Sequence, residues 1–102
     1  MPAELLILPE ANGDLTRAVE WYEAQRRGLG DEFYANATSR FESILRNPDL
    51  FELFHGDVRR AAVGRFPYDI LFRSSDDCVI IVCVVHHSRD EHVWRSRLVQ
   101  GE

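Results

Sequence analysis

The run from Cys78 to Val85, CVIIVCVV, constrains the fold more than any other part of this chain. It is apolar throughout and mostly β-branched, with Ser-Ser-Asp-Asp before it and His-His-Ser-Arg-Asp after it. It falls far short of the roughly 20 residues a membrane span needs, and its composition favours a strand. A half-exposed strand alternates apolar and polar residues. This one does not, so both of its faces must be covered and it reads as a central strand. Its two cysteines, Cys78 and Cys83, lie an odd number of residues apart. On a regular strand that spacing sends them to opposite faces, about 16 Å from each other, too far to bond. Both are expected to be small core residues, in keeping with a reducing compartment.

The elements around this strand follow from period and punctuation. ELLIL (4–8) predicts a first strand, stopped by Pro9 and the turn-like ANGD. Asp14 is placed to cap a helix to about Arg27, with Leu15, Ala18, Val19 and Tyr22 on one stripe. The GLG at 28–30 breaks it. Asp31 is then placed to cap a second helix whose stripe is Phe33, Ala37, Phe41 and Ile44, ended by Asn47-Pro48. So short a break implies an antiparallel helical hairpin. After Pro48 the period shortens. FELF (51–54), VRRAAV (58–63), YDILFR (68–73) and CVIIVCVV (78–85) read as strands separated by turn residues. Asp90 is placed to cap a brief last helix carrying Val93, Trp94, Arg97 and Leu98.

The expected architecture is α+β: an N-terminal strand, a helical hairpin packed on a curved three- to four-stranded antiparallel sheet, and a short C-terminal helix. At 102 residues and 45% hydrophobic, one folded domain over residues 1–102 is expected. The N-terminal MPAELLILPEA lacks a basic lead and a small-residue cleavage site, so it is not read as a signal peptide, and a cytoplasmic location is expected.

Charge is unevenly spread. Residues 1–58 carry five arginines against eleven acidic residues, and residues 59–102 carry seven against six. There is no lysine: all 12 basic residues are arginine, whose planar fork suits carboxylates and phosphates. A net charge of −5 nevertheless argues against non-specific nucleic-acid binding.

Residues able to do chemistry gather late in the chain. His86 and His87 follow the central strand, either as solvated strand-end residues or as a general acid or base. No spacing of His and Cys matches a metal framework, so neither metal nor cofactor is expected. Ser88 and Ser96 lie near histidines but without a nucleophile elbow or an orienting third group. The glycines of GLGDEF follow no strand and read as a helix–helix turn. Arg59, Arg60, Arg65, Arg89, Arg95 and Arg97 either converge on one patch for phosphates or partner carboxylates, or scatter into surface ion pairs. Trp21 and Tyr22 are adjacent on a helix and cannot both face the core.

AVEWYEAQRRGLGDEFY, ILRNPDLF, VRRAAVGRFPYDILFR and VIIVCVVHHSRDEHVWRSRL resemble, in this order, segments of the RelE/ParE toxins of bacterial type II toxin–antitoxin systems. The resemblance spans roughly residues 4–98. It implies the small α+β toxin fold and a cognate antitoxin that wraps and neutralises the chain. RelE-like members are ribosome-dependent mRNA endoribonucleases that use basic residues and a C-terminal tyrosine. ParE-like members poison DNA gyrase by binding. The arginine that RelE-like toxins place after the aromatic of their Y-R-L strand falls here on Asp69, and the tyrosine position falls on Trp94. An anion beside a scissile phosphate opposes catalysis, so the resemblance favours the ParE-like branch, with gyrase as target and ribosome or mRNA as the lesser alternative. A target- or antitoxin-binding face of Arg60, Arg65, His86, Arg89 and Trp94 is expected. The ribonuclease alternative places His86, His87 and Arg89 in the catalytic roles, and a third possibility is a non-toxic relative that only binds an antitoxin.

Overall fold

The computed structural model describes residues 4–88 and 91–100. In chain order these form β1 (Glu4–Ile7), α1 (Pro9–Gln25), α2 (Leu29–Arg46), a single 3-10 turn (Pro48–Leu50), β2 (Leu53–His55), β3 (Val58–Ala62), β4 (Tyr68–Ser74), β5 (Cys78–His86) and α3 (Glu91–Gln100). The strands make one sheet in the order β1-β5-β4-β3-β2. All neighbours are antiparallel except β1 and β5. The first strand joins this sheet, which has five strands where three or four were expected. Leu5 and Ile7 sit opposite Val79 and Ile81 and cover what would otherwise be a long, apolar, unpaired edge of β5.

Both faces of β5 are covered. On one side Val79, Ile81 and Val84 join Ile70 and Phe72 of β4 in packing against Ala11, Leu15, Ala18 and Tyr22 of α1 and Phe33, Ala37, Phe41 and Ile44 of α2. On the other side Val82 and Cys83 meet Val58, Leu71 and Leu98, with Phe54 and Trp94 at the margin. The hairpin therefore lies on one face and α3 on the other. Adjacent residues Val82 and Cys83 share a face because the β4–β5 register slips there: Leu71 pairs with Cys83 but Phe72 with Ile81. This bulge cancels the odd spacing of the cysteines. Cys78 and Cys83 fall on the same face rather than on opposite ones, and neither forms a disulfide.

Two helix starts differ from the sequence expectation. β1 ends before Pro9 as expected, but Pro9 also opens α1, where its fixed φ and missing N–H are compatible with a first helical position. The Leu8 N–H still bonds to Ile81 O at 3.1 Å while the Leu8 carbonyl already accepts from Asn12. Asp14 consequently lies inside the helix and caps nothing. Asp31 does not cap α2 either. Glu23 of α1 does so from outside, taking the N–H of Gly28 at 2.9 Å and of Gly30 at 3.0 Å and placing a carboxylate on the positive end of the helix. Gly28 itself has φ 88°, which an L-residue resists. At Gly30 the two helices approach closely: a Cβ there would sit 2.7 Å from the Val19 carbonyl oxygen. The final strands follow the sequence reading within two residues, and Asp90, proposed as the α3 cap, lies outside the described residues.

Gly30→Ala should therefore destabilise the chain by about 1–3 kcal/mol, since relief requires α1 and α2 to part. A lowered urea midpoint with an unchanged slope is the expected reading. Stability equal to wild type would show that the hairpin is not close-packed there.

Candidate functional site

Two clefts open on either side of His86, the last residue of β5. The first lies between the sheet and α3 and encloses about 590 Å³. Strand alternation builds it: Arg60 and Ala62 from β3, Asp69 and Leu71 from β4 and Val85 from β5 all face α3. Phe54 and Trp94 form a wall, with ring centroids 4.7 Å apart and nearly edge to face. Asp69 thus does face the site. Its Oδ1 lies 3.2 Å from Nε2 of His87.

The second cleft, about 560 Å³, lies between α1 and the end of the sheet. Trp21, 57% exposed, Tyr22, Tyr68 and His86 give it aromatic walls. Burial, helped by the neighbouring Tyr68, pushes the Tyr22 hydroxyl above its usual pKa, so it stays protonated at neutral pH. The floor of this cleft carries a polar knot. Asp14 Oδ2 accepts from the Val84 N–H at 3.1 Å and from Arg97 at 2.7 Å, while Oδ1 accepts from Arg97 at 3.2 Å and Arg17 at 2.9 Å. The side chains of Asp14 and Arg97 are only 11% and 17% exposed. Their forked pair ties α1, β5 and α3 together and raises the already high pKa of Arg97. An acid on the stripe of Ala11, Leu15 and Ala18 was the signal in the sequence that Asp14 needed a buried partner.

His86 turns toward Tyr68, with ring centroids 5.1 Å apart, while His87 turns the other way to Asp69. Nδ1 of His86 accepts from the Ser88 N–H at 2.9 Å and lies 2.7 Å from the Ser88 hydroxyl, which leaves the ring proton of the neutral form on Nε2. Ser88 is thus a turn residue that orients a histidine. Among the described residues no group of three or more His, Cys, Asp or Glu is arranged to hold a metal ion.

Of the expected face, the structure brings Arg60, His86 and Trp94 to one cleft. Arg65 is elsewhere, bonded to Glu32 of α2, which also binds Arg26 at 2.8 Å. Arg89 lies outside the described residues. Among the described residues the arginines of the expected patch do not converge. Arg60 is held by Glu52, Arg73 by Asp57 and Arg95 by Glu91. Arg59 turns to the opposite side of its strand and donates to the Phe51 carbonyl at 2.6 Å.

Residues 5–91 match the family described as the ParE toxin of type II toxin–antitoxin systems, parDE. The chain belongs to the ParE toxin family. A solved structure described as a chromosomal ParDE TA system from P. aeruginosa has the same fold. It superposes with a TM-score of 0.72 at 14% identity, over 81% of this chain and 94% of that one. No curated protein matches the sequence. The α+β toxin fold expected from the sequence is therefore the fold observed, and ParE membership implies an antitoxin partner. No helix among the described residues is long and apolar enough to cross a membrane.

Two outcomes follow for this ParE chain. Asp14→Ala should cost about 2–3 kcal/mol, because it strands the Arg97 guanidinium and the Val84 N–H together. Equal denaturant midpoints would mean that the Asp14–Arg97 pair does not hold α3. Hydrogen bonds from Arg26 and Arg65 hold the Glu32 carboxyl below its usual pKa. Its stabilising effect is thus complete above the ordinary carboxylate range and fades as pH falls through the lower folded-state value. Glu32→Gln should be slightly less stable than wild type at pH 7, and the gap should close in acid. A gap that widens in acid would contradict the assignment.

Proposed function

We propose that this chain is the toxin of a ParE-type pair, that it inhibits DNA gyrase by binding, and that a cognate antitoxin neutralises it. The observation that carries the reading is Asp69 in the lining of the α3 cleft, with Arg60 already committed to Glu52. A scissile phosphate there would face a carboxylate and find no uncommitted guanidinium among the described residues lining the cleft, the reverse of what stabilises a phosphoryl transition state. A protein surface tolerates such a mixture of aromatic wall and paired charges, and tryptophan and arginine are frequent anchors in interfaces. Family membership supports the toxin role. Gyrase is the target that the ParE-like resemblance implies.

The test is induction of this chain alone in a bacterial host, with growth, transcript 5′ ends and gyrase supercoiling followed together. Growth arrest with unchanged transcript ends and loss of supercoiling is expected. New codon-registered ends would make it an endoribonuclease acting through His86 and His87, and normal growth would leave a non-toxic antitoxin binder. Arg60→Ala should weaken gyrase inhibition about tenfold, or about 1.4 kcal/mol, with little change in thermal stability. Undiminished inhibition would remove Arg60 from the target-binding face.

A further inference from the structure

We infer that the cleft beneath α3 receives an arginine or lysine side chain of the antitoxin, with its cationic head on Asp69. This rests on the reading above that an antitoxin neutralises the chain, and it adds the chemistry by which the antitoxin is recognised.

Shape and charge both favour a long amphipathic cation. The floor is apolar, made of Ala62, Leu71 and Val85, and Phe54 and Trp94 wall one side. An aliphatic stem of three or four methylenes lies well on such a floor while its charged end reaches a polar group. That group is Asp69. Three carboxylates line the cleft against one arginine. Glu52 is tied to Arg60, and Glu91 to Arg95 at 2.9 Å, so the carboxylate of the cleft with no arginine on it among the described residues is Asp69. Its side chain is 16% exposed, enough to be reached and too little to be fully solvated. His87 holds Oδ1, and among the described residues Oδ2 has no hydrogen-bond donor. The imidazole orients the carboxylate from one side and leaves its other oxygen toward the cleft.

The aromatic wall already accepts guanidinium groups. Arg60 stands 5.1 Å over Phe54 and Arg95 5.1 Å over Trp94. A third cation on Asp69 would extend the same stacking and gain a carboxylate bond from Oδ2. An acidic segment fits poorly, because it would meet Asp69 directly and would have to displace Glu52 or Glu91 to reach a guanidinium. The charge of the whole chain points the same way. At net −5 it attracts a basic segment from a distance and repels an acidic one.

The experiment pairs a direct probe with the partner. The isotope-labelled full chain is titrated with N-acetyl-arginine amide and with N-acetyl-glutamate amide, reading the Trp94 indole and the His87 amide by NMR. In parallel, affinity for the cognate antitoxin is measured at low and high salt. Asp69→Asn is compared with wild type and with Asp49→Asn, an exposed acid outside the cleft. Expected results are saturable shifts with the arginine amide only, lost in Asp69→Asn. That variant should also lose at least about tenfold in antitoxin affinity and part of its salt dependence, while Asp49→Asn behaves as wild type. Equal shifts from the two amides, or shifts that survive Asp69→Asn, overturn the cationic site. Tight antitoxin binding that ignores Asp69→Asn overturns the antitoxin as its occupant. Failure of the wild-type chain to bind the antitoxin at all overturns the toxin–antitoxin reading itself, and with it the occupant.

Discussion

The structure depends on hiding β5. A strand that is apolar on both faces cannot lie on the outside of a two-layer domain, so this chain supplies two covers of unequal size. The α1–α2 hairpin takes one face with long aromatic and aliphatic stripes. The short α3 takes the other with little more than Leu98 and Trp94. So thin a cover needs a tether, and the forked Asp14–Arg97 pair provides one across the end of the sheet. The same pair meets the Val84 N–H, so the strand, its cover and the first helix are joined at one carboxylate.

Covering β5 on the α3 side also creates the cleft. A helix of ten residues cannot shield the full width of the sheet, and the part of β3 and β4 left open is where Arg60, Ala62 and Asp69 emerge. The chemistry of that opening is set by a choice repeated throughout the molecule. Every cation is an arginine, and most of those described hold a nearby carboxylate or a backbone carbonyl. Guanidinium forks committed in this way brace the fold and leave little positive potential outside. In the cleft, Glu52 and Glu91 are held by arginines, and Asp69 is the carboxylate that no described arginine holds.

Much of the fold was legible. The stripes of α1 and α2, the end of α2 at Asn47-Pro48 and the order of the strands all follow from period and punctuation, which are local properties. The misreadings share one cause. Asp14 and Asp31 have the right identity for helix caps, but Pro9 had already opened α1 and Glu23 reached across from a neighbouring helix to open α2. The cysteines were assigned to opposite faces by counting, and one bulged residue reversed the count. Propensity and spacing describe what a residue can do within its own segment, and these outcomes were set by other segments.

The candidate site divides along the same line. From the sequence by itself came the strand that ends in His86-His87, the aspartate at position 69 and the pool of arginines. These depend on identity and order. Only the tertiary structure decided which of them meet. It sent Arg65 to the hairpin and Arg97 to Asp14, kept Arg60, Trp94 and His86 around one cleft, and turned Asp69 into it. The physical reason is that a strand side chain's face depends on the register of the whole sheet, and a charge's partner on whatever the fold brings within about 3 Å of it. Neither is written in any local stretch of the chain.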